Sequence, residues 1–136
     1  MKSLVVDTSV LIAILNKEPE ARLFATTCHA AETLFVSVAT LHEAHCVAVR
    51  RRMEDGPARL DELAGRLELI SVPFDRPQLA AARVGYAKYG RGTGHPANLN
   101  MGDCFAYALA ATRDLPLLFK GDDFVHTDVR PALTPA

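Results

Sequence analysis

The stretch Leu4-Val5-Val6-Asp7-Thr8-Ser9-Val10-Leu11-Ile12-Ala13-Ile14-Leu15 decides the fold. Its first three residues are apolar and mostly β-branched, the composition of a short buried strand. Asp7-Thr8-Ser9 then offers side-chain oxygens suited to capping a helix, and the apolar run from Val10 to Leu15 reads as that helix, buried. A strand that passes through one polar turn into a helix opens a parallel α/β unit.

The same alternation continues outward along the chain. A helix from Ala21 to Ala31 leads into a strand over Leu34–Val38, and another helix runs from about Leu41 to Met53. Gly56-Pro57 breaks the chain, Ala58 to Arg66 reads helical, and Leu67–Val72 reads as a third strand ended by Pro73. Gln78 to Tyr89 is helical again. The segment from Gly90 to Leu99 carries too much Gly, Pro and Asn for regular structure and forms a long loop of the kind that often carries function. Met101 to Thr112 is an Ala-rich helix, Leu115–Phe119 a fourth strand, and Lys120 to Phe124 turns away from it. The expected architecture is therefore α/β: a central parallel sheet with helices on both faces, joined by right-handed crossovers, in one domain spanning residues 1–136.

Composition narrows the function without naming it. The chain is 49% hydrophobic and 23% charged, values of a globular domain rather than a disordered one. A net charge of −1 gives no basic footprint of a nucleic-acid binder, although Arg50, Arg51 and Arg52 form a local cationic run and a carboxylate cluster elsewhere would mask it. Three cysteines, Cys28, Cys46 and Cys104, lack any C-x-x-C spacing, which argues against a disulfide framework or a zinc site and for a reducing cytoplasm. Asp7 falls too early for a signal-peptide core, and no apolar run approaches the roughly 20 residues of a membrane span.

In parallel α/β sheets, ligands gather beyond the carboxyl ends of the strands. Asp7 follows the first strand, Glu43 lies in the opening turn of the helix after the second, Asp103 opens the Ala-rich helix, and Asp122 and Asp123 follow the fourth strand. Singly, each has a structural role open to it. Thr40 to Glu43 and Asn100 to Asp103 match capping boxes, while Asp7 and the Asp pair suit turns. Together, crowded carboxylates repel one another and call for a cation. An all-oxygen donor set favours Mg²⁺ or Mn²⁺ over zinc, and helix N-termini beside Glu43 and Asp103 are expected to keep them ionised. Such an ion can activate water and polarise a phosphoryl oxygen, so phosphodiester hydrolysis is the natural reaction. The chain offers neither a G-x-S-x-G elbow nor a P-loop. Cys46 reads as a small core residue, and His42 and His45 as helix-surface or partly buried groups.

Val5-Val6-Asp7-Thr8-Ser9, Glu43, Leu99-Asn100-Met101-Gly102-Asp103-Cys104-Phe105 and Leu118-Phe119-Lys120-Gly121-Asp122-Asp123-Phe124, taken in that order, resemble the PIN-domain toxins of the VapC family over nearly the whole chain. The resemblance implies a three-layer α/β/α PIN fold and a Mg²⁺- or Mn²⁺-dependent endoribonuclease with Asp7, Glu43 and Asp103 as its core acids. It leaves open which of Asp122 and Asp123 joins them. It further implies a VapB-like antitoxin that blocks the site, a homodimer, and contact with operator DNA only through the antitoxin. Thr8, Arg51, Arg91, His95 and Asn100 are candidates for holding the RNA, the arginines and the Lys88–His95 segment flanking the acidic edge.

Other phosphate chemistries fit the residues less well. Lys120 at the end of the last strand suits a receiver domain, but Ser71-Val72-Pro73 stands where a receiver has its aspartate. Ser9 replaces the second aspartate of a haloacid-dehalogenase-like phosphatase. The remaining alternative is a catalytically inactive PIN-fold module that only binds antitoxin or RNA.

Overall fold

A computed structural model describes residues 2–133. Four strands, β1 (Leu4–Val6), β2 (Leu34–Ser37), β3 (Ile70–Val72) and β4 (Leu117–Leu118), form one parallel sheet in the order β3-β2-β1-β4. Val5 pairs with both Phe35 and Leu117, which places β1 in the interior of the sheet. Six α-helices cover it: α1 (Thr8–Leu15), α2 (Ala21–Ala30), α3 (Val38–Arg50), α4 (Gly56–Arg66), α5 (Arg76–Tyr89) and α6 (Met101–Arg113).

Strand alternation sorts the core into two layers. Leu4, Val6, Leu34, Val36 and Leu118 pack with α1 to α4, whereas Val5, Phe35, Val72 and Leu117 pack with α5 and α6. Successive strand residues point to opposite faces, so strands covered on both faces are apolar at successive positions. The result is the expected three-layer α/β/α arrangement with a parallel sheet.

Several boundaries move for identifiable reasons. Val38 belongs to α3, because Ser37 accepts the Ala39 N–H through its hydroxyl and caps the helix there. The cap is therefore Ser37 and not Thr40, and Glu43 falls in the second turn of α3 rather than the first. Gly56-Pro57 starts α4 instead of breaking the chain; proline is tolerated in a first turn, where its missing N–H has no helical acceptor. The third strand is shorter than its apolar run suggests. Leu67 is buried as the C-cap of α4, and Glu68 turns the chain at positive φ before β3 begins at Ile70. Cys46 is exposed, not core, with its sulfur 3.5 Å from His42 Nε2. Among the described residues no helix is long and apolar enough to cross a membrane.

Candidate active site

The carboxyl ends of β1 and β2 and the N-terminus of α6 bound a cleft of about 390 Å³ lined by Asp7, Thr8, Ser9, Glu18, Glu43, Arg51, Asp103 and Lys120, among others. Three of the acids read from the sequence thus reach one cleft from three elements. Each arrives with one carboxylate oxygen fixed by the protein. Asp7 Oδ2 accepts from the Ser9 N–H at 3.1 Å and the Ser9 hydroxyl at 2.6 Å, which makes Asp7 the N-cap of α1. Glu43 Oε1 accepts from the Thr8 hydroxyl at 2.5 Å. Asp103 Oδ2 accepts from the Asn100 N–H at 3.0 Å, while Asn100 Oδ1 accepts from the Asp103 N–H at 2.8 Å, the reciprocal pair of a capping box.

The second oxygens are the informative ones. Asp7 is only 4% exposed, and its Oδ1 is buried with no hydrogen-bond partner. A carboxylate oxygen left in that state costs free energy unless something outside the chain satisfies it. Burial pushes the Asp7 carboxyl up to about 6, Glu43 adding to the rise against the hydrogen bonds from Ser9. Burial likewise lifts Asp103 to about 6, with Asp7 and Asp123 contributing, and raises Glu43, with Asp103 contributing. Desolvation and mutual repulsion thus raise both carboxyls against the pull of the helix ends, although Asp103 at about 6 is still mostly ionised at neutral pH.

Asp122 and Asp123 are both exposed and do not line the cleft, which ends at Gly121; Asp123 is the one that acts on Asp103 electrostatically. The cationic groups divide as well. Arg51, the C-cap of α3, lines the cleft, Arg50 acts on Glu43, and Arg91 acts on Asp103 from the 90–99 loop. His95 does not line the cleft. Its ring meets Tyr89 edge-on at 4.9 Å and its Nδ1 accepts the Ala97 N–H, so it orders the loop. Thr8 is buried with its hydroxyl turned to Glu43, and Asn100 is occupied as the α6 cap.

Three participants escape sequence reading. Ser9 Oγ donates to Asp7 and accepts the Lys120 N–H at 2.9 Å, tying the turn after β1 to the turn after β4. Lys120 pairs with Glu18 and Glu20 at 2.5 and 3.5 Å, placing a mixed-charge cluster at the rim. The Glu43 carboxylate lies against Gly102 so closely that a side chain there would displace it. Only Ser9 had a local signal, in the Asp-Thr-Ser run; the others are long-range meetings.

The donors suit a hard divalent cation by their chemistry: oxygen only, one oxygen of each acid fixed and, at Asp7, the other orphaned in the interior. Among the described residues, however, no three acidic, His or Cys side chains close around a common point. The three acids face one cleft without yet forming a cage.

The fold is thus a parallel α/β/α sandwich whose acids gather beyond the carboxyl ends of its central strands. The PIN domain model matches residues 4–130. Ribonuclease VapC28 of Mycobacterium tuberculosis is 44% identical over 130 residues, covering 96% of this chain and 98% of the relative. Among solved structures, the sarcin-ricin-loop-cleaving toxin VapC20 of Mycobacterium tuberculosis superposes with a TM-score of 0.71 at 18% identity, over 94% of this chain and 99% of that one. VapBC2 of Rickettsia felis, bound to a promoter DNA fragment, has a TM-score of 0.70 at 15% identity, over 95% and 96%. The chain belongs to the PIN domain family and, within it, to the VapC ribonucleases.

Proposed function

We propose that this protein is a Mg²⁺- or Mn²⁺-dependent endoribonuclease that acts as the growth-inhibiting toxin of a toxin–antitoxin pair. The observation that carries the cation is the buried, unpartnered Asp7 Oδ1 at the floor of a cleft shared with Glu43 and Asp103. Asp7, Glu43 and Asp103 would hold the ion, with Asp122 or Asp123 as the fourth acid; of the two, Asp123 is the one whose charge reaches Asp103. A divalent ion held by these residues would supply charge neutralisation at a scissile phosphate and a more acidic water.

The chain's own residues supply positioning. Thr8 orients Glu43, Ser9 orients Asp7, and the Asn100 cap orients Asp103. Arg51 and Arg91 border the acids and contact RNA phosphates, countering the repulsion that the carboxylates exert on a polyanion. Two cationic side chains flanking an acidic centre explain how a chain of net charge −1 handles RNA.

Relatives of the same fold occur in toxin–antitoxin complexes, one of them on promoter DNA. By that likeness the partner is a VapB-like antitoxin covering the cleft, with operator DNA contacted through the antitoxin and the toxin paired as a homodimer. Cys28, Cys46 and Cys104 are all free thiols, which fits a cytoplasmic setting.

The test is cleavage of total cellular RNA by protein purified through a denaturing step, with Mg²⁺, with Mn²⁺ and with chelator, beside Asp103→Asn. Discrete fragments that require an ion and vanish in the variant support the reading. Absence of cutting by correctly refolded protein with either ion and with the full cellular RNA pool counts against it and favours a module that binds without catalysis.

A further inference from the structure

The second residue of α6 is glycine at the point where the Glu43 carboxylate comes to rest. A Cβ built on Gly102 would overlap Glu43 Oε2, and the carboxyl carbon and Oε1 also fall within contact range. No turn requires glycine here, since Gly102 lies inside a helix and is absent from the positive-φ glycines. Alanine is the better helix former at such a position, so helix propensity opposes this choice. What the missing side chain provides is room.

Glu43 reaches that room from α3, with its other oxygen on the Thr8 hydroxyl. Gly102 adjoins Asp103, so the same space brings the two carboxylates side by side, consistent with the repulsion between them. An added methyl group meets the far end of a flexible side chain rather than backbone. Glu43 can swing away at small cost to the fold, but only by leaving Thr8 and its place beside Asp103.

We propose that Gly102 is a positioning residue: its absent side chain forms a slot that seats the Glu43 carboxylate against the first turn of α6, beside Asp103. The consequence for ion binding rests on the reading of the cleft as a cation site, whereas the slot itself does not.

The experiment compares full-length wild type, Gly102→Ala, Glu43→Asp, the double variant, and Gly65→Ala, a helical glycine with open space around it. Mn²⁺ affinity is read by electron paramagnetic resonance and melting temperature is read in chelator. Gly102→Ala is expected to weaken Mn²⁺ binding on the order of 10–100-fold, the scale of lost support around a metal ligand. Gly65→Ala leaves it unchanged. Glu43→Asp already withdraws the carboxylate from the slot and weakens Mn²⁺ binding by itself, so adding Gly102→Ala to it costs far less affinity than adding Gly102→Ala to the wild type. If Gly102→Ala melts well below wild type, Glu43→Asp on top of it must restore the melting temperature. Wild-type Mn²⁺ affinity in Gly102→Ala, or a loss of affinity as large on the Glu43→Asp background as on the wild type, overturns the proposal. A wild type that binds no Mn²⁺ sinks the cation reading instead; the slot then stands or falls on whether positions 43 and 102 are coupled in the chelator melts.

Discussion

Replacing Asp7 with asparagine should make the metal-free protein more stable while removing its function. Asp7 is 4% exposed, and its carboxyl is raised from 3.8 to about 6, chiefly by burial. A carboxyl whose folded pKa exceeds its unfolded value favours folding fully below the unfolded pKa, and that contribution is lost as pH rises through the folded value. The wild type therefore loses stability between about pH 4 and pH 6, by about 3 kcal/mol from this residue alone. Asparagine keeps an oxygen for the Ser9 N–H but carries no charge to desolvate. Urea unfolding in chelator should show the two proteins nearly equal at pH 4, with Asp7→Asn ahead by up to about 3 kcal/mol at pH 8. Asp103 rises similarly and in part because of Asp7, so the difference between the two proteins includes the relief of Asp103 as well as the desolvation of position 7 itself. Mn²⁺ at 100 times its Kd should then return about 2.7 kcal/mol to the wild type and nothing to the variant. A gap that is absent at pH 8, or that stays constant across the range, would refute the claim that Asp7 sits desolvated without a counter-charge.

Further expectations follow from individual contacts. Thr8→Val removes the hydroxyl that donates to Glu43 while preserving shape, and should lower cleavage on the order of 10–100-fold with a smaller loss of stability, read by RNA gel assay and thermal melting. Arg51→Glu and Arg91→Glu should each weaken RNA binding and reduce the slope of affinity against salt by about one ion, measured by titration at several salt concentrations; an unchanged slope excludes a phosphate contact. Gly85→Ala places a methyl 2.6 Å from the Tyr107 ring between α5 and α6 and should cost about 1–3 kcal/mol of stability without altering Mn²⁺ affinity.

The sheet was legible because its interior strands are apolar on both faces, a pattern that Leu4-Val5-Val6 carries in three residues. Strand-following acids were legible for a related reason: parallel topology sends each strand end to the same edge, so position in sequence stands in for position in space. Glu43 shows the limit of that logic. Its approach to the cleft was sound, but the true helix cap, upstream of Thr40, was hidden because Ser37 lies inside an apolar-looking strand. Burial was equally opaque. Asp103 looks unperturbed beside a helix N-terminus, and only the packing of α6 against the sheet shows how far desolvation raises it. Gly102 and Lys120 acquire meaning from distant partners, Glu43 and Glu18, and no local pattern announces either meeting.

The strand order has a bearing on when this centre can exist. β1 carries Asp7 at its end, yet one of its two neighbours, β4, lies near the far end of the chain, and the Ser9 hydroxyl that braces Asp7 finds its second partner only at Lys120. During synthesis, then, a chain that has emerged through α5 holds Asp7 and Glu43 but lacks Asp103, the helix start on which Glu43 rests, and the strand that closes the β1 edge. The cleft is therefore complete only once α6 and β4 have been made, so its three acids come together late in the synthesis of the domain.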